Sequence, residues 1–296
     1  MKKNEAEKDI DEVRVLSDRT QEKLKKAFGK VIDKPTEARV KRYQDYETAL
    51  LSLYARELYK LLSGQINQYV DVGKTQAVQQ LLKKGFEKKK LSTKVYNELK
   101  QAQRQSIKAS VLKMVASIKQ NSRNNILDMR KAFILQKKRL ASGFMDIFTK
   151  YGVAYFNDAR GGKWSLPRYT DMLSTQTVMT AQREAFFATS LEYGNDLVKI
   201  IHLGISPEQC ELCAPFTNKV LSISGETKGY MTISEAENCG LFHINCDHTP
   251  KAMELAPEKE DGDNMIALSE GNEKALKKNG VKLSSFKKKA FIEKSA

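Results

Sequence analysis

Outside residues 202–248 the chain has neither histidine nor cysteine; all three histidines and all four cysteines of its 296 residues fall in that one stretch. Imidazole and thiol chemistry is therefore excluded from the rest of the sequence. Proline occurs only six times, and Lys, Gln, Leu and Ala are abundant, so helix is expected over most of the length. No run of eighteen apolar residues exists, so no segment is expected to span a membrane. The charged start Met1-Lys2-Lys3-Asn4 leads into no apolar core, so no secretory signal is read there and a reducing cytoplasm is the expected place of synthesis. HExxH and HxE are both missing, and with them the usual general base of a hydrolytic zinc site.

What the stretch does contain is two spaced pairs. Cys210-Glu211-Leu212-Cys213 is a CxxC turn, and Gly240-Leu241-Phe242-His243-Ile244-Asn245-Cys246-Asp247-His248 follows about thirty residues later. A CxxC turn brings two thiolates to one side of a tight loop, each able to sit about 2.3 Å from a zinc ion, and an HxxC pair can close the tetrahedron from the other end. Five donors compete for four places: Cys210, Cys213, His243 and Cys246 as the first choice, with His248 as the alternate. Cys239 and His202 stand outside this set. The other readings of the spacing are a disulfide pair or unlinked buried thiols. Glu211 is expected to face water, which makes a closed structural site the default. His243-Ile244-Asn245 also echoes the composition of HNH-type nucleases, although there the catalytic His lies between two cysteine pairs, an order this chain lacks.

Charge divides the chain. Residues 1–150 hold 34 Lys or Arg against 17 Asp or Glu, whereas residues 151–296 hold 17 against 19, so the whole excess of +15 belongs to the first half. Between Val72 and Asn125 thirteen basic residues face only two acids, and Lys83, Lys84, Lys88, Lys89, Lys90, Arg104, Lys108 and Lys113 are candidate phosphate contacts. The plainer reading of the same residues is a solvated helix face. Aromatic rings are not interleaved with these charges, so any contact with double-stranded DNA would be to phosphate and independent of sequence.

Helical periodicity runs through the basic half: a charged, frayed start, then helices from Pro35-Thr36-Glu37 to Ser63-Gly64, from Thr75, from Ser92-Thr93 and from Asn124 to Tyr151. Pairing between copies of the chain is compatible with these stripes, though the heptads are irregular. Asn157-Asp158-Ala159-Arg160-Gly161-Gly162 reads as a linker or turn. A helix from Ser165 and Pro167 to about Leu191, ended by Gly194, follows, then a strand over Asp196–His202 and another over Lys219–Ser224, closed by Gly225. The fold class is thus mainly α: a basic multi-helix bundle or arm over residues 1–156, a small α+β domain stabilised by a zinc-type knot over 163–250, and a polar, extended or loosely helical tail over 251–296.

The ordered blocks Trp164-Ser165-Leu166, Tyr169-Thr170-Asp171-Met172-Leu173, Thr177 through Ala185, Cys210-Glu211-Leu212-Cys213-Ala214-Pro215-Phe216, Val220-Leu221-Ser222-Ile223-Ser224 and Gly240 through His248 resemble the phage minor capsid protein 2 and Mu F-like head-morphogenesis group. The resemblance covers residues 163–250. Departures are Asn218 where the group has Gly, Ile244 for Pro, Asp247 for Arg, and Thr175 for an Arg in the following helix. Asn tolerates the backbone angle that a Gly would supply. The two lost arginines remove any phosphate or ion-pair role they hold in relatives, while the Cys and His positions persist.

The resemblance implies a non-enzymatic minor head protein of a tailed bacteriophage or prophage, made in the host cytoplasm and carried inside the head near the portal vertex. The portal protein and other capsid proteins are its implied partners, with packaged DNA as a further one; structural zinc is the cofactor that the CxxC and HxxC spacing proposes. Some relatives end in a toxin or ADP-ribosyltransferase domain; the 48 residues after His248 are too few for one. A zinc-containing nucleic-acid-binding protein or HNH-like nuclease is the alternative.

Overall fold

A computed structural model describes residues 3–32, 36–134, 150, 152, 154–158, 161–203, 210–244, 246–253 and 270–280. It divides into two compact units, residues 1–67 with 101–178 and residues 68–100 with 179–296. Three long helices contribute to the protein: α1 (Lys3–Ile32), α2 (Glu37–Lys83) and α3 (Thr93–Ile134). The chain is mainly helical, as its composition predicts, but the element boundaries differ from the expectation in instructive ways.

In the first unit the segment expected to fray is helical from Lys3 on. Helix α1 buries Val13, Leu24, Phe28 and Val31, one apolar side per turn, together with Ser17 and Thr20. Those two hydroxyls donate to the Val13 and Leu16 carbonyls, so they sit inside without a stranded donor. Ser17 also lies 2.9 Å from the Tyr54 hydroxyl and 2.7 Å from that of Thr170, forming a buried polar chain. Helix α2 supplies Val40, Tyr43, Leu51, Tyr54, Leu58 and Leu62, and Phe28 meets Tyr43 edge-on at 5.0 Å. Ser63-Gly64 does not end a helix, and no new one starts at Thr75, because Ile66, Tyr69 and Val70 continue the buried stripe across the glycine. The start at Thr93 is as expected; the break expected at Asn124 is absent, and α3 continues to Ile134. Its expected extension over 135–149 and Tyr151 lies outside the described residues.

Of the two readings of residues 157–162, linker or turn, the structure has the turn: it joins the hairpin strands β1 (Tyr155–Asn157) and β2 (Lys163–Ser165), with Phe156 opposite Trp164. Asp158 builds that turn: its carboxylate accepts from the Gly162 amide at 2.7 Å and from the Trp164 indole at 2.9 Å. Helix α4 (Leu166–Glu192) follows, close to the predicted span, and Gly194 (φ +80°) lies just beyond it.

In the second unit a three-stranded antiparallel sheet has the order β4-β3-β5, with β3 (Leu197–His202) central, β4 (Val220–Ser222) and β5 (His248–Ala252). Strands β3 and β4 fall within the predicted segments; β5 was not anticipated, because His248-Thr249-Pro250-Lys251 lacks a strand's apolar alternation. A short helix α5 (Ile233–Asn238) opens with a capping box in which Thr232 and Glu235 satisfy one another's backbone N–H groups. Helix α6 (Glu270–Lys278) is the described part of the tail. The core gathers Ala77, Leu81, Phe186, Phe187, Val198, Ile200, Phe216, Leu221, Ala236 and Leu276 around the cysteines. Gly73 meets the Gln182 backbone so closely that a Cβ there would lie 2.0 Å from the carbonyl oxygen.

Candidate metal centre

Both predicted pairs are tight turns in the second unit. The Cys213 and Ala214 amides donate to the Cys210 carbonyl at 3.0 and 2.8 Å, and Ala214–Phe216 then forms one 3₁₀ turn with Pro215 inside it. The Cys246 amide donates to the His243 carbonyl at 3.0 Å, so HxxC repeats the CxxC geometry. Two left-handed residues, Gly240 (φ +106°) and Phe242 (φ +58°), turn the chain just before His243. Asn218 takes φ +62°, the angle expected where the resemblance replaces Gly by Asn.

Two donor groups result, Cys210 with Cys213 and His243, and Cys213 with Cys246 and His248, each with its ligand atoms within 4.8 Å of one another. Cys213 belongs to both. Cys210 Sγ lies 2.8 Å from His243 Nε2, Cys213 Sγ 3.3 Å from Cys246 Sγ, and Cys246 Sγ 3.4 Å from His248 Nδ1. In a zinc tetrahedron two sulfurs stand roughly 3.8 Å apart and a sulfur and an imidazole nitrogen roughly 3.5 Å, so the Cys246–His248 pair already has that spacing while the Cys213–Cys246 and Cys210–His243 pairs would open slightly around an ion. The donor set, soft thiols with imidazoles, also suits zinc. Among the described residues no carboxylate joins either group, and Glu211 is exposed, as expected. Asn245 of the HNH-like echo lies outside the described residues.

Both imidazoles are oriented from behind. His243 Nδ1 is 2.6 Å from the Ile244 carbonyl, and His248 Nε2 is 2.8 Å from Thr217 Oγ1. Cys213 and His248 are fully buried, and Cys246 is 7% exposed. A hydrogen bond from the Cys213 thiol, aided by His248, holds Cys246 well below the ordinary thiol range despite burial, while the same bond and burial push Cys213 up. These surroundings favour the thiolate at Cys246, and the thiolate is the form that ligates metal.

Three supporting residues escaped the sequence reading. His202, set aside there, is the cross-strand partner of His248; its ring is 5.0 Å away, and its Nε2 comes within 3.0 Å of Asp247 Oδ2, near enough for an ion pair though off the line of a hydrogen bond. Arg183 is buried with its guanidinium 3.9 Å from the centre of the Phe242 ring. Burial lowers its pKa, against the negative charge of Glu237 and Glu184 and of the buried Cys246–Cys213 pair. Asp196 accepts from Ser222 Oγ, Ser224 N and Oγ, and the Thr227 amide at 2.5–3.1 Å, tying β4 and its following loop to the start of β3. Only pairing register could have revealed His202, whereas Arg183 sits in the block Thr177–Ala185 that carries the resemblance. Cys239 is buried at the end of α5 and belongs to neither donor group.

The candidate phosphate contacts fall in both units. Lys83, Lys84 and Lys88–Lys90 belong to the second and Arg104, Lys108 and Lys113 to the first. Most are exposed, but Lys89 Nζ donates to the Tyr193 carbonyl at 3.2 Å and Arg104 to Asn67 Oδ1 at 2.5 Å, so these two have structural work within their units. No described helix is long and apolar enough to cross a membrane.

A family model described as Phage minor capsid protein 2 matches residues 3–277, nearly the whole chain and far more than the blocks at 163–250. No curated protein and no solved structure matches it.

Proposed function

Because the chain belongs to the phage minor capsid protein 2 family, and so to the virion of a bacteriophage, we propose that it is a non-catalytic head component that joins the portal vertex from inside the head. The match over residues 3–277 carries this reading, since it takes in the basic helices as well as the knot. Other capsid proteins, further copies of the chain and the phosphates of packaged DNA are its remaining proposed partners, the last through Lys83, Lys84, Lys88, Lys89, Lys90, Arg104, Lys108 and Lys113.

The proposed cofactor is one structural zinc ion held by Cys210, Cys213, His243 and Cys246, with His248 behind Cys246. Zinc here would supply fixed tetrahedral bonds and no reaction. The chain's own residues prepare for it: two i to i+3 turns aim the donors, Arg183 offsets thiolate charge, and Thr217 and the Ile244 carbonyl orient the rings. Four protein donors would leave no open position on the ion, which supports this structural role over the nuclease alternative.

Affinity capture of the tagged full chain from phage-producing cells tests the assignment. Portal protein is expected among the captured proteins. Capture of tail proteins alone, or cleavage of DNA by the purified chain with added divalent metal, would refute it.

A further inference from the structure

Among the described residues of the first unit, a group of unpaired cations lies away from the lysines that the sequence singled out. Helices α1 and α2 enclose a groove of about 690 Å³ lined by Lys23, Lys26, Lys30, Arg39, Arg42 and Tyr46 above a floor of Ala27, Val31 and Tyr43. The walls are periodic: Lys23, Lys26 and Lys30 share one face of α1, and Arg39, Arg42 and Tyr46 share one face of α2. Val31 and Tyr43 are 2% and 3% exposed and Phe28 braces Tyr43 edge-on, so the floor is packed. Arg39 donates to the Lys30 carbonyl at 3.1 Å, tying the end of one wall to the start of the other.

We infer that this groove binds the phosphodiester backbone of a single nucleic-acid strand, with Tyr46 stacking on a base. Among the described residues five cations and no carboxylate line it, and none of the five forms an ion pair with a described acid. Like charges so arranged repel one another unless a polyanion lies between them. The exposed ring of Tyr46 (42%) at the rim adds the π-face that the Val72–Asn125 lysines lack, which favours a nucleic acid over an acidic peptide. The inference goes beyond the proposed phosphate contacts with packaged duplex DNA, and the single-strand and duplex arms of its test keep the two apart.

Fluorescence anisotropy with the full chain, a labelled 20-nucleotide single strand and its duplex, from 50 to 200 mM NaCl, tests it. Lys26→Ala with Arg42→Ala should flatten the plot of log affinity against log salt by about 1.4, two contacts at about 0.7 each, and weaken single-strand binding about tenfold or more. Lys23→Ala with Lys30→Ala should repeat the effect. Tyr46→Ala should weaken the single strand about tenfold and leave the duplex unchanged. Lys25→Ala with Lys41→Ala removes the same charge from exposed positions of the same helices outside the groove, and should change little. Equal losses from the groove pair and this control would overturn the proposal, as would groove-dependent binding of polyglutamate without binding of the oligonucleotide. Losses confined to Lys88→Ala with Lys89→Ala would overturn the groove and leave the broader nucleic-acid reading standing. No binding by the unaltered chain would end both.

Discussion

Cys213→Ser is the sharpest perturbation of the knot, because Cys213 alone belongs to both donor groups. Whichever histidine completes the site, its loss removes a shared corner. In metal-free protein the change is small: the serine hydroxyl replaces a buried thiol whose Sγ is 3.7 Å from the Gly240 carbonyl, a ready acceptor, and about 1 kcal/mol covers the difference. In metal-loaded protein the linked binding energy is lost as well, about 4 kcal/mol where free zinc stands a thousandfold above its Kd. At roughly 2–4 °C per kcal/mol for a unit of this size, chelation should lower the melting midpoint of the unaltered protein by about 8–16 °C. The assay is a four-way comparison by calorimetry, parent and variant, each with and without prolonged warm incubation with a strong chelator. The variant should melt near the chelated parent and respond little to chelator. Cys239→Ser, also buried but outside both groups, should keep the full chelator response. If the parent ignores the chelator, or if Cys213→Ser leaves the chelator shift intact, the shared-ligand argument fails.

Asp196 makes stability depend on acid. Burial raises its pKa, but the hydrogen bonds from Ser222, Ser224 and Thr227 win and hold the carboxyl well below the usual range. A group depressed in the folded state contributes stability above its unfolded pKa of about 3.9 and loses it as pH falls through the folded value, so the gap in melting midpoint between parent and Asp196→Asn should be full at pH 6 and shrink below pH 4; a gap constant with pH would refute the linkage. Gly73→Ala should destabilise by about 3 kcal/mol or more, since its Cβ would meet the Gln182 backbone, whereas Gly64→Ala in the same helix meets nothing within 4 Å and should stabilise by up to about 1 kcal/mol; denaturant midpoints check both. Tyr54→Phe leaves Ser17 and Thr170 to bond each other and should cost about 1 kcal/mol, with no further loss when Ser17→Ala is added beyond that variant's own bonds to Val13 and Thr170, as a double-mutant cycle will show.

Local signals with a physical stop or start were legible in the sequence. Thr93, Gly194 and the paired CxxC and HxxC turns each act through their own backbone, and each stands where the residue pattern put it. What escaped depends on partners distant in the chain. Helix α1 was hidden because Ser17 and Thr20 occupy inward positions that read as polar, and their suitability becomes clear only once Tyr54 and Thr170 are beside them. Gly64 reads as a stop by propensity alone, yet the packed residues on either side of it carry the helix through at a cost of about 1 kcal/mol. Strand β5 has no strand pattern of its own and is recruited by β3, whose Ile200 and Ile201 pair with Pro250 and Thr249. The same recruitment puts His202 opposite His248, a neighbour that no spacing rule could supply.

The choice between the two histidines follows from what their hydrogen-bond partners can do. A carbonyl only accepts, so the Ile244 oxygen 2.6 Å from His243 Nδ1 keeps the proton on that nitrogen and leaves the Nε2 lone pair facing Cys210. Thr217 can donate or accept, so His248 is free to take the other tautomer, with Nδ1–H pointing at the Cys246 sulfur it stabilises as thiolate. In the proposed zinc site this makes His243 the fourth ligand and His248 the donor behind the third. His243→Ala should abolish stoichiometric zinc in elemental analysis while costing little in chelated protein, because its side chain is only partly buried. His248→Ala should retain one zinc with affinity weaker by about 10–100-fold, the usual effect of losing such a support, and should destabilise the chelated protein too, because it empties a fully buried position beside Thr217. The reverse pattern, zinc lost from His248→Ala and kept at parental affinity by His243→Ala, would make His248 the ligand and require its Nε2 proton to be donated to Thr217.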